Sequence, residues 1–103
     1  MVKIVRVSKE EAKRRLGDVP EAKRFWCHDG RVIKNLRELG KALGDMSDET
    51  FRYHLGGGRN DFNKWIREVV GDEELANDLS KAKSRGEAGR AVAHRVSSLE
   101  RRA

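Results

Sequence analysis

Residues that start or stop a helix recur along this 103-residue chain and divide most of it into short segments. Ser8 is followed three residues later by Glu11, and Asn35 by Glu38, which is the pattern of a capping box. In such a box the side-chain oxygen of the first residue accepts a hydrogen bond from an amide of the first helical turn. A chain of this length supports one modest core, so the segments must pack together. The predicted helix starts are Ser8, Asn35, Ser47, Asn60 and Asp72, and the predicted stops are Gly17, Gly44 and Gly71.

The segment RFWCHDGRVIK predicts a β-hairpin, because Asp29-Gly30 is a favoured two-residue turn between two apolar stretches. We expect an apolar pair on each face of this ribbon, which would then be sandwiched between other elements. VKIVRV, residues 2–7, is predicted as a strand that can lie alongside. The fold class is therefore α+β, mainly α, with a small β-hairpin or three-stranded sheet packed with about five short helices. The pairs expected from the two-residue turn are His28 with Arg31, Cys27 with Val32 and Trp26 with Ile33.

Residues 1–80 are predicted to form a single compact core domain, and residues 81–103 a basic C-terminal helix. Gly86 and Gly89 lower the helix propensity near the start of that helix, which favours only partial order in this segment. Apolar residues recur along it at helical spacing. They form a stripe of Ala88, Val92, Val96 and Leu99.

Charge is distributed unevenly along the chain, whose formal net charge is +6. Eight basic and four acidic residues give +4 over residues 1–28, and seven against two give +5 over residues 81–103. The middle, residues 29–80, has eight basic and eleven acidic residues, for −3. A protein that binds a polyanion typically shows such basic segments. Arginine outnumbers lysine, which suits bidentate contact with phosphate.

These observations predict a non-enzymatic protein that binds nucleic acid, DNA or RNA, through its basic termini with low sequence specificity. A solvated basic face that maintains solubility remains an alternative interpretation. A further alternative is a protein interaction module, or a homodimer formed through Trp26, Trp65 or the stripe of Val92, Val96 and Leu99. The residues predicted to contact nucleic acid are Lys9, Lys13, Arg14, Arg15, Lys81, Lys83, Arg85, Arg90, Arg95, Arg101 and Arg102.

The other candidate sites are explained better by a role in the fold than by catalysis or ligand binding. The Gly56–Gly58 run before Arg59 could bind an anion, but it lacks the Lys-Ser/Thr of a nucleotide loop, so a connector between helices is favoured. His54 is expected to hydrogen-bond the Asn60-Asp61 turn as a neutral imidazole. We predict no catalytic residue, no metal site and no cofactor. The spacing of Cys27, His28, His54 and His94 matches no common metal-binding pattern.

No apolar run approaches the roughly 20 residues that a membrane-spanning helix needs, and the first residues lack the apolar core of a secretion signal. The single cysteine, Cys27, excludes an internal disulfide. We therefore expect a cytoplasmic protein with no membrane contact. Glutamine is absent while Arg, Lys and Glu are abundant, a thermophile-like composition.

Motifs between about residues 25 and 80 resemble a small domain family of unknown function found in archaea and bacteria. The shared features are a D-G turn, an L-x-E-L helix, D-E-x-F-x-x-H, N-D-F-x-x-W-I and G-D-x-x-L-A. The resemblance implies no activity, because none is known for the family, and the basic termini lie outside it. The triple glycine stands where the family often has a longer polar loop.

The segment LRELGKALGDMSDETFRYHL more loosely resembles the two-helix unit of helix-turn-helix DNA-binding proteins. Gly40 lies where the two helices would cross closely, and Ser47 would cap the second helix. In that arrangement Asp48 and Glu49 would approach DNA, whose phosphates repel carboxylates. An ordinary helical hairpin is therefore the favoured interpretation of this segment.

Overall fold

The computed structural model describes residues 7–103, and these residues form helices packed on one face of a two-stranded hairpin. This arrangement confirms an α+β fold that is mainly α. The predicted strand of residues 2–7 lies outside the described residues, apart from Val7, which packs against the core. A π-helical turn, Ile66–Val70, extends the fourth helix. The elements are α1 (Lys9–Leu16), β1 (Phe25–Trp26), β2 (Val32–Ile33), α2 (Leu36–Asp45), α3 (Asp48–Tyr53), α4 (Asp61–Trp65), α5 (Glu73–Lys81) and α6 (Arg85–Arg102).

The cap residues identified in the sequence start the helices. Each cap side chain accepts a hydrogen bond from the amide three residues later, which satisfies one of the free donors of the first turn. The capping box at α1 is only half formed, because the Glu11 carboxylate turns away from Ser8 towards the arginines of its own helix. The cap oxygen to amide distances are 3.1 Å at Ser8, 2.8 Å at Asn35, 3.0 Å at Ser47, 3.0 Å at Asn60 and 2.9 Å at Asp72.

The register of the hairpin differs by one residue from the predicted one, so the three predicted pairs are wrong. Phe25 pairs with Ile33 and Trp26 with Val32, across a three-residue loop. The side chain of Asp29 accepts a hydrogen bond from the amide of Arg31 at 3.2 Å. In a two-residue turn the amide of Arg31 would donate to the carbonyl of His28 instead. The Asp29 side chain takes this donor and so disfavours the shorter loop. The loop closes instead through Cys27, whose amide donates to the Arg31 carbonyl at 2.8 Å and whose carbonyl accepts from Gly30 at 3.0 Å.

The observed register gives the hairpin one buried and one exposed face. Phe25 and Ile33 belong to the core, whereas Trp26 is 72% exposed and Val32 is 39% exposed. The expectation of a ribbon sandwiched between two layers is therefore wrong. A shift of one residue moves each side chain to the opposite face of a strand, which accounts for the difference.

Helix α6 packs antiparallel against α2 and completes the core. A Cβ atom on Gly40 would lie 3.3 Å from Cγ1 of Val92, so the glycine permits a close approach of the two helices. Gly89 fits against Leu43 in the same interface. Gly40 therefore accommodates α6, not α3 as the helix-turn-helix comparison placed it. The helix is continuous for 18 residues despite its glycines, and the residues it buries are Ala88, Val92 and Leu99.

Candidate nucleic-acid interface

Helices α1 and α6 pack directly on each other, so the two basic ends of the chain are neighbours in space. Together with the end of α5 and the α5–α6 linker, they carry all eleven of the predicted nucleic-acid contacts. The structure divides these eleven cations into two groups. One group is bound to the protein itself, and the other extends into solvent.

Arg15 and Arg95 both bind the carboxylate of Asp72, which is fully buried. The guanidinium of Arg95 donates to its two oxygens at 2.8 and 3.2 Å, and Arg15 lies 3.3 Å from the same carboxylate. Asp72 also accepts from the amide of Leu75 as the cap of α5. The arginine side chains are only 17% and 12% exposed, so they are held inside the fold and are poorly placed for phosphates.

Arg85 holds together the segment between α2 and α3. Its guanidinium donates to the carbonyls of Leu43 and Gly44 at 2.8 and 3.0 Å and to the Asp48 carboxylate at 2.9 Å. The two carbonyls lie in the last turn of α2, which has no further helical amides to bond them. Arg85 thus satisfies the end of one helix and joins it to the start of the next.

Arg14 is half exposed and donates through Nε to Glu11 at 2.9 Å, and Arg15 donates to the same carboxylate at 2.7 Å. These hydrogen bonds lower the pKa of Glu11 from its ordinary value of 4.5 to about 2. The favourable pair stabilises the folded state whenever Glu11 is ionised in the unfolded chain, which means above about pH 4.5.

We expect the stability contributed by Glu11 to be complete above pH 4.5 and to be lost as the pH falls towards 2. Urea unfolding of the wild type and of Glu11→Gln, which cannot ionise, should show a difference in unfolding free energy at pH 7 that shrinks by pH 2.5. Because both proteins contain the other carboxylates, the effect of their titration cancels in the difference between the two unfolding free energies. Parallel pH profiles for the two proteins would contradict the assignment.

Seven of the predicted cations remain after Arg14, Arg15, Arg85 and Arg95 are set aside. Within residues 7–103 they are exposed and have no carboxylate partner within ion-pair distance. Two lie one turn apart on α1, and two lie eleven residues apart on α6, which is close to three full turns along one face. The seven are Lys9, Lys13, Lys81, Lys83, Arg90, Arg101 and Arg102.

A second exposed surface was not predicted from the sequence, and we call its members, Trp26, His28, Val32 and Tyr53, the aromatic surface. Trp26 and Val32 are a cross-strand pair on the outer face of the hairpin. The imidazole of His28 stacks on the Tyr53 ring with centroids 3.7 Å apart and planes inclined by 14°. The correct hairpin register would have indicated the exposed pair, whereas the stacking depends on a contact between the hairpin loop and α3.

His54 behaves as the sequence predicted. It is buried, and its Nδ1 lies 2.9 Å from the carboxylate of Asp61. Its Nε2 accepts a hydrogen bond from the backbone amide of His28 at 3.0 Å. Since Nε2 is an acceptor, Nδ1 carries the proton and donates a hydrogen bond to Asp61. The imidazole therefore joins the hairpin, α3 and the start of α4.

The other residues that the sequence singled out are the possible metal ligands, the triple glycine and the residues considered for dimerisation. Within residues 7–103, no three His, Cys, Asp or Glu side chains are grouped closely enough to hold a metal ion. The triple glycine forms one short turn between α3 and α4, in which Gly57 and Gly58 have φ angles of 67° and 77°. Trp65 is buried and donates its indole N–H to the Lys23 carbonyl at 2.8 Å. Val92 and Leu99 are fully buried, so Trp26 is the exposed member of the residues considered for dimerisation.

Comparison with known proteins finds no matching family model, no matching curated protein and no matching solved structure. Across residues 7–103, no helix combines the length and the apolar character needed to cross a membrane.

Proposed function

We propose that this chain is a non-enzymatic protein that binds nucleic acid through the seven exposed cations. The observation that carries the proposal is the packing of α1 against α6, which makes the basic ends of the chain adjacent. Adjacent helices that bear unpaired lysines and arginines offer a strand of phosphates several contacts at once. Contacts of this kind fix the position of a nucleic acid and carry no sequence information.

The internal ion pairs also support a distinction between basic residues that stabilise the fold and basic residues that are available to bind phosphates. The buried Asp72 already neutralises much of the charge of Arg15 and Arg95. Lys9 and Lys13, in contrast, extend from α1 into solvent with no partner among residues 7–103. Their ammonium groups can exchange hydrated counterions for phosphates, and the release of counterions from the nucleic acid drives binding.

Fluorescence anisotropy with labelled duplex DNA, single-stranded DNA and RNA tests this proposal. If all seven cations neutralise phosphates, the logarithm of affinity should fall with the logarithm of salt concentration with a slope of up to about −6 on duplex DNA. The double variant Lys9→Gln, Lys13→Gln should reduce the magnitude of this slope by about 2.

A matched control is the double variant Lys23→Gln, Lys64→Gln, which lowers the net charge equally on the surface beside Trp65. We expect this control to bind nearly as the wild type does. Equal losses in the two double variants would indicate non-specific attraction by net charge alone. No binding at micromolar protein in low salt would overturn the proposal.

A further inference from the structure

We infer that the aromatic surface stacks unpaired bases, so that the preferred ligand is a single-stranded nucleic acid. The inference rests on the proposed function and specifies its substrate class. Bases in a duplex are stacked on each other and present only their edges to a protein. An aromatic side chain can reach the face of a base only where that base is unpaired.

The exposed large apolar side chains of residues 7–103 are concentrated in this surface. Trp26, Val32 and Tyr53 are 72%, 39% and 49% exposed, whereas Trp65 and the three phenylalanines are buried. The core therefore takes the other large aromatic rings and leaves Trp26 and Tyr53 outside. A tryptophan with this exposure contributes little to packing, and its indole face is free to stack on a ligand.

The rings of this surface are held in place before any ligand arrives. Tyr53 stacks on His28, and its ring also meets the buried His54 edge-on at 5.2 Å between centroids. The backbone amide of His28 is fixed by its hydrogen bond to His54, which is itself fixed by Asp61. A pre-ordered ring loses less conformational entropy on binding than a mobile one, so stacking on it is more favourable.

Charged side chains lie beside the rings, as a ligand with both bases and phosphates requires. The guanidinium of Arg59 lies 5.8 Å from the centre of the Tyr53 ring and donates to the Tyr53 carbonyl at 3.4 Å. Arg52, one residue before Tyr53, is exposed and has no ion pair among the described residues. Asp61 beside Arg59 is occupied by that arginine and by His54. The Arg59 guanidinium beside the stacked rings, and the exposed Arg52 on the same helix as Tyr53, can contact the phosphates that flank a stacked base. The exposed carboxylates of Glu49, one turn before Tyr53, and Asp29, next to His28, oppose this contact.

Helix α3 places the aromatic surface near the start of α6. Asp48, its first residue, binds Arg85, and Tyr53 is its last residue. Five residues of helical rise separate them by about 8 Å. The exposed Lys83 precedes Arg85 by two residues, so one of the seven cations lies towards the aromatic surface along α3.

The test compares Trp26→Ala with Trp26→Phe, which keeps a ring, and Val32→Thr, which removes apolar surface without removing a ring. Binding of a 12-nucleotide single strand, in DNA and RNA forms, is measured beside a duplex of the same sequence. We expect Trp26→Ala to weaken single-strand binding by about 5- to 150-fold, the range for loss of one stacked base. Trp26→Phe and Val32→Thr should retain most of the affinity, and duplex binding should be the same for all three variants.

The outcomes separate this inference from the proposed function. Preserved binding of both ligands by Trp26→Ala, or an equal loss for duplex and single strand, overturns the inference and leaves phosphate binding in place. Sedimentation that shows a wild-type dimer broken by Trp26→Ala assigns the surface to a second copy of the chain and also overturns it. If neither nucleic acid binds the wild type, both proposals fail. Tyr53→Ala against Tyr53→Phe repeats the test at a second ring, with circular dichroism to verify folding.

Discussion

Replacing Asp72 with alanine should lower the free energy of unfolding by about 3–5 kcal/mol, because it removes the buried carboxylate that two mostly buried arginines share and leaves them only the more exposed Glu11 and Glu74. Arg15 of α1 and Arg95 of α6 are mostly buried around the carboxylate, which therefore links these two helices to the start of α5. The same substitution removes the cap of α5, which is typically worth about 1 kcal/mol. A small domain has about 5–15 kcal/mol of stability in total, so much of it would be lost. Urea unfolding at pH 7 measures the change.

Asp72→Asn provides a control, because asparagine caps a helix as well as aspartate does but carries no charge. It should lose less stability than the alanine variant by roughly the value of the cap, about 1 kcal/mol. Combining Asp72→Ala with Arg95→Met should cost less than the two substitutions added together, since the second removes a charge that the first has stranded. A loss below about 1 kcal/mol for Asp72→Ala would show that the carboxylate is not the link between the chain ends.

Replacing His54 with alanine should cost about 2–4 kcal/mol of unfolding free energy, from a stranded backbone amide and a cavity. The partly buried amide of His28 would lose its acceptor, and Asp61 would keep only Arg59 as a partner. The imidazole also packs against the rings of Phe25 and Phe62 at 5.0 and 5.1 Å between centroids, so truncation leaves empty space in the core. Thermal and urea unfolding measure the loss.

His54→Gln is the matched control for this prediction. Its amide oxygen can occupy the region of Nε2 and accept from the His28 amide, although the bond to Asp61 is lost. We expect its stability to lie between those of the wild type and the alanine variant. An alanine variant as stable as the wild type would contradict the structural role and would redirect attention to His54 as a ligand-binding group.

The sequence was most informative where one residue acts on its near neighbours. A cap side chain bonds an amide three residues away, so Ser8, Asn35 and Ser47 could be recognised without any knowledge of the fold. The contact of His54 with Asp61 was predictable for a related reason, since the two are joined by a short turn. Local hydrogen bonding has few alternatives over such distances.

Features that depend on distant parts of the chain were not predictable in this way. Counting charges gave a basic total for each end, but it could not reveal that Asp72 binds Arg15 and Arg95. The propensity argument against α6 considered Gly86 and Gly89 without their surroundings, whereas Ala88, Val92 and Leu99 fix the helix in the core. In α6, tertiary contacts override the low intrinsic helix propensity of glycine.

The position of α6 at the end of the fold has a consequence for how the chain is synthesised. Leu99 is fully buried in the same cluster as Leu36 and Leu43, which precede it by more than 50 residues. At roughly 5–20 residues per second, the ribosome needs about 3–11 s to progress from Leu43 to Leu99. During that interval the leucine face of α2 is without its final covering. We expect the nascent chain to be a substrate for chaperones that bind exposed apolar helices, and to become protease-resistant only after α6 has packed against α2.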